Sequence, residues 1–134
     1  MRAHYDKQNA YRKANKHVSY ESYHRSKINN PEKWLLKQAR KRAADKNLAF
    51  DLTLEDIVIP QRCPIMDVPL QYIPHQYSDY SPSIDRKDSS KGYTKNNIWI
   101  ISTIANRMKW NATKEQLLTF CRGVLSLEGR DALC

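Results

Sequence analysis

At 134 residues the chain has room for one compact domain and an extension, and no second large core. Its formal net charge of +9 sets it apart from an ordinary soluble protein, whereas its charged and hydrophobic fractions of 28% and 40% do not. No apolar run approaches the roughly 18 residues of a membrane span, and the N-terminus lacks the apolar stretch of a signal peptide. Cys63, Cys121 and Cys134 are odd in number and widely spaced, which argues against a disulfide framework and makes a reducing cytoplasm the expected compartment.

The placement of the charge says more than its size. Residues 1–46 hold 13 Lys/Arg against 4 Asp/Glu, and residues 47–134 hold 10 against 10, so the whole excess lies in the first third. That asymmetry predicts a basic arm over 1–46 for a polyanion and a separate folded core over 47–134. Residues 1–29 interleave cations with Tyr5, Tyr11, Tyr20 and Tyr23, without a clean apolar stripe, and read as partly helical with little to bury. Asn30-Pro31-Glu32 is a helix start with an Asn cap, and the helix runs to about Lys46. Leu48–Leu52 reads as extended. Thr53-Leu-Glu-Asp56 resembles a capping box opening a short helix that Pro60 closes. The five prolines from Pro60 to Pro82 predict loops and hairpin edges. Ser83–Arg86 reads as a strand, Lys87–Asn96 as a polar loop, and Asn97–Ser102 as the strongest strand of the chain. Thr103–Trp110 reads as a helix, and Thr113-Lys-Glu-Gln116 opens another that ends near Gly129. The class expected is α+β: basic N-terminal helices, then a ββα core, then a C-terminal helix.

The residues of that core resemble a known family. Ser-Pro-Ser-Ile84-Asp85-Arg86, Lys91-Gly92-Tyr93, Asn97-Ile98 and Ala-Asn106-Arg107-Met-Lys109 are similar to the HNH, or His-Me finger, nucleases, and to their phage-encoded, zinc-less members in particular. The upstream basic arm, the Phe50–Ile57 run and Cys63-Pro64 extend the similarity to roughly residues 25–120. The resemblance implies a ββα-metal fold and a metal-dependent DNA endonuclease or nickase. It implies one divalent ion, Mg²⁺ or Mn²⁺, on Asp85 and Asn106, with Asn97 bracing the loop, so that Asp85, Arg86, Asn97 and Asn106 are the expected catalytic set. A hard cation suits this pair, because water and substrate phosphate can complete its oxygen shell.

Two departures matter. Relatives that carry a structural zinc use four thiols, and the matching positions here are Cys63, Met66, Ser102 and Ala105; one thiol cannot hold tetrahedral zinc, so none is expected. Trp99, Met66 and Ile104 are expected to fill that space, with Cys63 as a small buried hydrophobe. The position of the general-base His is Arg86, which takes up no proton near neutral pH. Three accounts stay open: another group such as His75 acts; Arg86 holds phosphate while water is activated otherwise; or the core is a relic that only binds. Asp88 reads as a turn residue or a second carboxylate oxygen.

Duplex DNA is the expected partner, with no membrane and an oligomeric state the sequence leaves open. Phosphate contacts are expected from Arg12, Lys13, Lys16, Arg25, Lys27, Lys37, Arg40 and Lys41 of the arm and from Lys91, Arg107 and Lys109 of the core. The alternatives are a non-catalytic DNA-binding protein on a decayed HNH core, and a basic RNA-binding accessory protein.

Overall fold

A computed structural model describes residues 2–73, 76 and 78–129. Its class is α+β: among the described residues are five α-helices and one antiparallel two-stranded sheet. The basic first third forms α1 (Arg2–Ala14), α2 (Lys16–Asn29) and α3 (Pro31–Asp45). A short 3-10 turn (Leu54–Asp56) follows, then β1 (Pro82–Arg86), β2 (Ile98–Ser102), α4 (Thr103–Lys109) and α5 (Lys114–Leu127). No described helix is long and apolar enough to cross a membrane.

Local chemistry explains most of these boundaries. Thr113 and Gln116 exchange the two bonds of a capping box at the start of α5, the Gln116 N–H donating to Thr113 Oγ1 at 3.2 Å and the Thr113 N–H to Gln116 Oε1 at 2.8 Å. At the 3-10 turn the Thr53 N–H and hydroxyl both donate to the Asp56 carboxylate. Ser102 ends β2 and caps α4 by accepting the Ala105 N–H. Asn30 precedes Pro31 as expected but makes no side-chain cap bond, so that helix start rests on Pro at its first position.

The core requires a different division of the chain from the one that charge suggests. Leu35, Ala39 and Ala43 of α3 are buried against Leu52, Ile57, Ile84, Ile98 and Ile100. These α3 residues repeat at every fourth position, which gives the helix one thin apolar stripe, a leucine and two alanines, beneath a basic outer face. The helix therefore belongs to the folded core, and a boundary at residue 46 cuts through it. The end of α2 joins it as well: Tyr23 meets the Trp34 ring edge-on at 5.7 Å, and the Lys27 ammonium lies 4.8 Å from the ring centres of both Trp34 and Tyr72. Burial there lowers the Lys27 pKa and raises that of Tyr72.

β1 and β2 pair in a register that sets Ile84 opposite Ile100 and Asp85 opposite Trp99. Ile84 and Ile100 face α3, while the alternate residues Ser83, Asp85, Trp99 and Ile101 face α4. On the α4 side Cys63, Ile101 and Ala105 form a second buried cluster, covered by Val68, Leu70 and Trp99. Of the three residues expected to fill this region only Trp99 does; Met66 is exposed and Ile104 lies outside the cluster. Cys63 Sγ also accepts the N–H groups of Ser102 (3.3 Å) and Met66 (3.5 Å). Burial opposes ionisation of this thiol, but these hydrogen bonds outweigh it and hold the pKa below its ordinary value.

Gly92 is placed by a close approach of two chain segments. Its neighbour Tyr93 donates its N–H to Ala49 O at 2.8 Å, and a Cβ on Gly92 would overlap the Ala49 backbone. Gly92→Ala is therefore expected to lower stability by roughly 1–3 kcal/mol, measured by chemical denaturation, because backbone rather than a pliable side chain must give way.

Candidate functional site

Two periodicities build the site. Ser83 and Asp85 are two apart on β1 and share a face, and Asn106 and Lys109 are three apart on α4 and share another. Where the faces meet, two cross-links form. Asn106 Nδ2 donates to Ser83 Oγ at 2.8 Å, and Lys109 Nζ lies 3.1 Å from Asp85 Oδ2. Trp99 Nε1, directly across the strand pair, donates to the same Asp85 oxygen at 2.7 Å. Lys109 Nζ also donates to Arg86 O at 2.9 Å. Asp85 and Lys109 are only 8% and 5% exposed, so the pair is an internal one and little screened by water.

A cleft of about 300 Å³ runs along the open edge of β1. Arg42 of α3 and Lys46 just after it line one side, Asn106 and Trp110 the other, and Asp85 and Arg86 the floor. Arg42 donates to Ile84 O at 3.3 Å, which holds its guanidinium at the strand edge.

Arg86 faces a polar loop and organises it. One of its terminal nitrogens donates to Ser89 O (2.7 Å) and Lys91 O (2.8 Å), and the guanidinium lies 5.3 Å from the Tyr93 ring centre. Asn97 ties the other side of that loop, accepting the Asp88 N–H at 3.0 Å and donating to Asp88 O and Gly92 O. Asp88 is a turn residue: its Oδ1 accepts the Ser90 hydroxyl and N–H, and these bonds lower its pKa. His75 lies outside the described residues.

The cations expected to meet phosphate divide into groups. Arg12, Lys13, Lys16 and Arg25 are exposed along α1 and α2, and Lys37, Arg40 and Lys41 along α3. Arg40 lies over the Phe50 ring, and Lys41 pairs with Asp45. Lys91 pairs with Asp88 at 3.6 Å and Arg107 with Asp79 at 3.4 Å; both cations remain exposed. Lys27 is half-buried between two rings. Lys109 is a correction: it is buried against Asp85, because its place on α4 turns it toward β1 rather than toward solvent.

Sequence reasoning missed Arg42, Lys46, Trp99 and Trp110 as residues of this site. Trp99 is found only once the strand register is known, and Arg42 only once α3 is placed on the sheet. Trp110 follows α4 with φ 47° and ψ −125°, and Ala112 N–H donates to Lys109 O at 3.1 Å across it. That is the conformation of the first central position of a type II′ turn, which favours Gly and costs a bulky residue on the order of 1–3 kcal/mol.

Asp85 and Asn106 each bring one side-chain oxygen with no hydrogen-bond partner among the described residues to the lining of the cleft. The hydrogen bond from Asn106 Nδ2 to Ser83 leaves the amide oxygen without a partner among the described residues. The bonds from Trp99 and Lys109 both fall on Asp85 Oδ2, leaving Oδ1 without a partner among the described residues. No group of three or more His, Cys, Asp or Glu suited to a metal exists among the described residues, so an ion here would draw its remaining ligands from water and substrate. The chain matches no protein-family model, no curated protein and no solved structure.

Proposed function

We propose that the chain is a metal-dependent DNA endonuclease or nickase of the HNH type, with β1, β2 and α4 as its ββα-metal core. The observation that carries this reading is the convergence of Asp85 from β1 and Asn106 from α4 on one cleft rimmed by cations. Asp85 Oδ1 and the Asn106 amide oxygen would hold Mg²⁺ or Mn²⁺. When bound, the ion supplies Lewis-acid polarisation of the scissile phosphate and charge stabilisation of the leaving oxygen. Arg42, Lys46 and the guanidinium nitrogens of Arg86 not tied to the loop stabilise the negative charge that grows on phosphorus-bound oxygen. In the hydrolysis, water oxygen bonds to phosphorus, one ester P–O bond breaks, and the released alkoxide takes a proton. Arg86 cannot accept the proton that water gives up, so it passes to solvent, a substrate phosphate oxygen or a group outside the described residues.

Incubation of the protein with supercoiled plasmid tests this directly. Relaxed or linear product is expected with Mg²⁺ or Mn²⁺ and none with EDTA. A second reading, DNA binding on a decayed core, is favoured by one feature: Asp85 already faces a buried ammonium. Retained binding with no cleavage in any divalent metal would select it.

The arm supplies affinity. Neutralising Arg12, Lys13 and Lys16 to Gln is expected to weaken DNA binding and flatten the plot of log K against log salt, by up to about 0.9 for each phosphate no longer neutralised. An unchanged slope would show that these three never meet phosphate. Neutralisation is preferable to deleting residues 1–28, since deletion would also remove Tyr23 and Lys27 from Trp34.

A further inference from the structure

We infer that Trp110 is a base-stacking platform at the mouth of the cleft, so that the proposed enzyme engages DNA carrying an unstacked base beside the phosphate it cuts. The inference rests on the nuclease reading for the meaning of the cleft, but its observations are separate. Trp110 is 75% exposed, and among the described residues its ring stacks on no other. Burial of the indole therefore does not explain its presence. The backbone does not explain it either, since φ 47° and ψ −125° suit glycine. A large ring is thus held out in water at a position that disfavours it.

Its backbone is fixed relative to the site. The Trp110 N–H donates to Asn106 O at 2.9 Å, and the turn closed by Lys109 O and the Ala112 N–H locks it one residue after the partner of Asp85. Across the cleft stand Arg42 and Lys46. A flat apolar surface on one wall and cations on the other, with candidate metal-binding oxygens between them, match the chemistry of one nucleotide: a base to stack and a phosphate to neutralise. A fully stacked duplex offers no free base face to such a ring. A bulge, gap or displaced strand does.

The test uses the full chain in EDTA, so that binding is read without cleavage. Two duplexes are compared, one perfect and one with a short bulge carrying a fluorescent adenine analogue. The parent is expected to bind the bulged duplex about ten-fold or more tighter and to quench the analogue, as stacking on an aromatic ring would. In Trp110→Gly the affinity ratio is expected to fall toward one and the quenching to vanish, with a melting temperature no lower than the parent's. Trp110→Phe should keep part of both signals.

Undiminished preference and quenching in Trp110→Gly would overturn the inference. So would a parent that binds both duplexes alike, and so would a marked loss of melting temperature in both Trp110→Gly and Trp110→Asn, which would make the ring structural. Each of those results leaves the nuclease reading standing. A parent that prefers the bulge yet never cuts in any divalent metal overturns the nuclease reading and supports the platform.

Discussion

Asp85→Asn is expected to reduce metal-dependent plasmid cleavage by about 10²-fold or more while leaving the protein folded. Among the described residues the carboxylate is the only anionic group on the cleft floor, and losing it removes charge stabilisation that a bound cation supplies, which is worth several kcal/mol of barrier. Asn is the informative substitution. It keeps an oxygen that can accept from Trp99 Nε1 and Lys109 Nζ, whereas Ala would leave the Trp99 indole N–H without that acceptor and the buried ammonium with Arg86 O alone. Cleavage by Asp85→Asn at the parental rate would remove Asp85 from the site.

Lys109→Met is expected to be the most destabilising single change in the site. The 5% exposed ammonium balances Asp85 and donates to Arg86 O, so its removal leaves a buried carboxylate with the Trp99 indole N–H but no balancing charge, and a carbonyl without that donor. Breaking one side of a buried pair costs about 3–5 kcal/mol, or roughly 10–20 °C in melting temperature for a chain of this size. Two further measurements give this result its meaning. Asp85→Asn/Lys109→Met should recover much of the loss, since the double variant no longer buries an unbalanced charge. Added Mg²⁺ should raise the melting temperature of Lys109→Met more than that of the parent, because the cation then replaces a missing one instead of competing with it. Equal shifts in both proteins would mean that Asp85 does not hold the ion.

Much of the fold follows from local signals. The run Asn97–Ser102 is dense in β-branched and aromatic residues, and β2 lies there; Thr113 and Gln116 form the capping box their spacing suggests. Both devices act over a few residues, so the sequence contains them whole. The position of α3 was not legible in this way. The thirteen-to-four charge ratio of the first third marks its outer face, while the inner face of α3 is made of Leu35, Ala39 and Ala43, a short stripe whose two alanines carry little hydrophobic signal yet allow close helix–sheet contact. The site was legible in part for the same reason. Asp85 and Asn106 are picked out by the resemblance of the motifs around them to the HNH family, since either residue taken alone reads as an ordinary strand-end carboxylate or helix-surface amide. Lys109 looks like any surface cation until the helix is laid on the strand, and Trp110 gives no sign in the sequence that its backbone has positive φ.

Arg42 has a consequence beyond the cleft. A sheet of two strands ends at β1 on one side, and a bare strand edge is a template on which a second polypeptide can lay its own backbone. Arg42 caps the Ile84 carbonyl on that edge, and charged Asp85 and Arg86 follow it along the strand. A foreign strand would have to displace the Arg42 guanidinium from Ile84 O and the Lys109 ammonium from Arg86 O. Two carbonyls along this edge are thereby already occupied, which disfavours β-addition by a second chain.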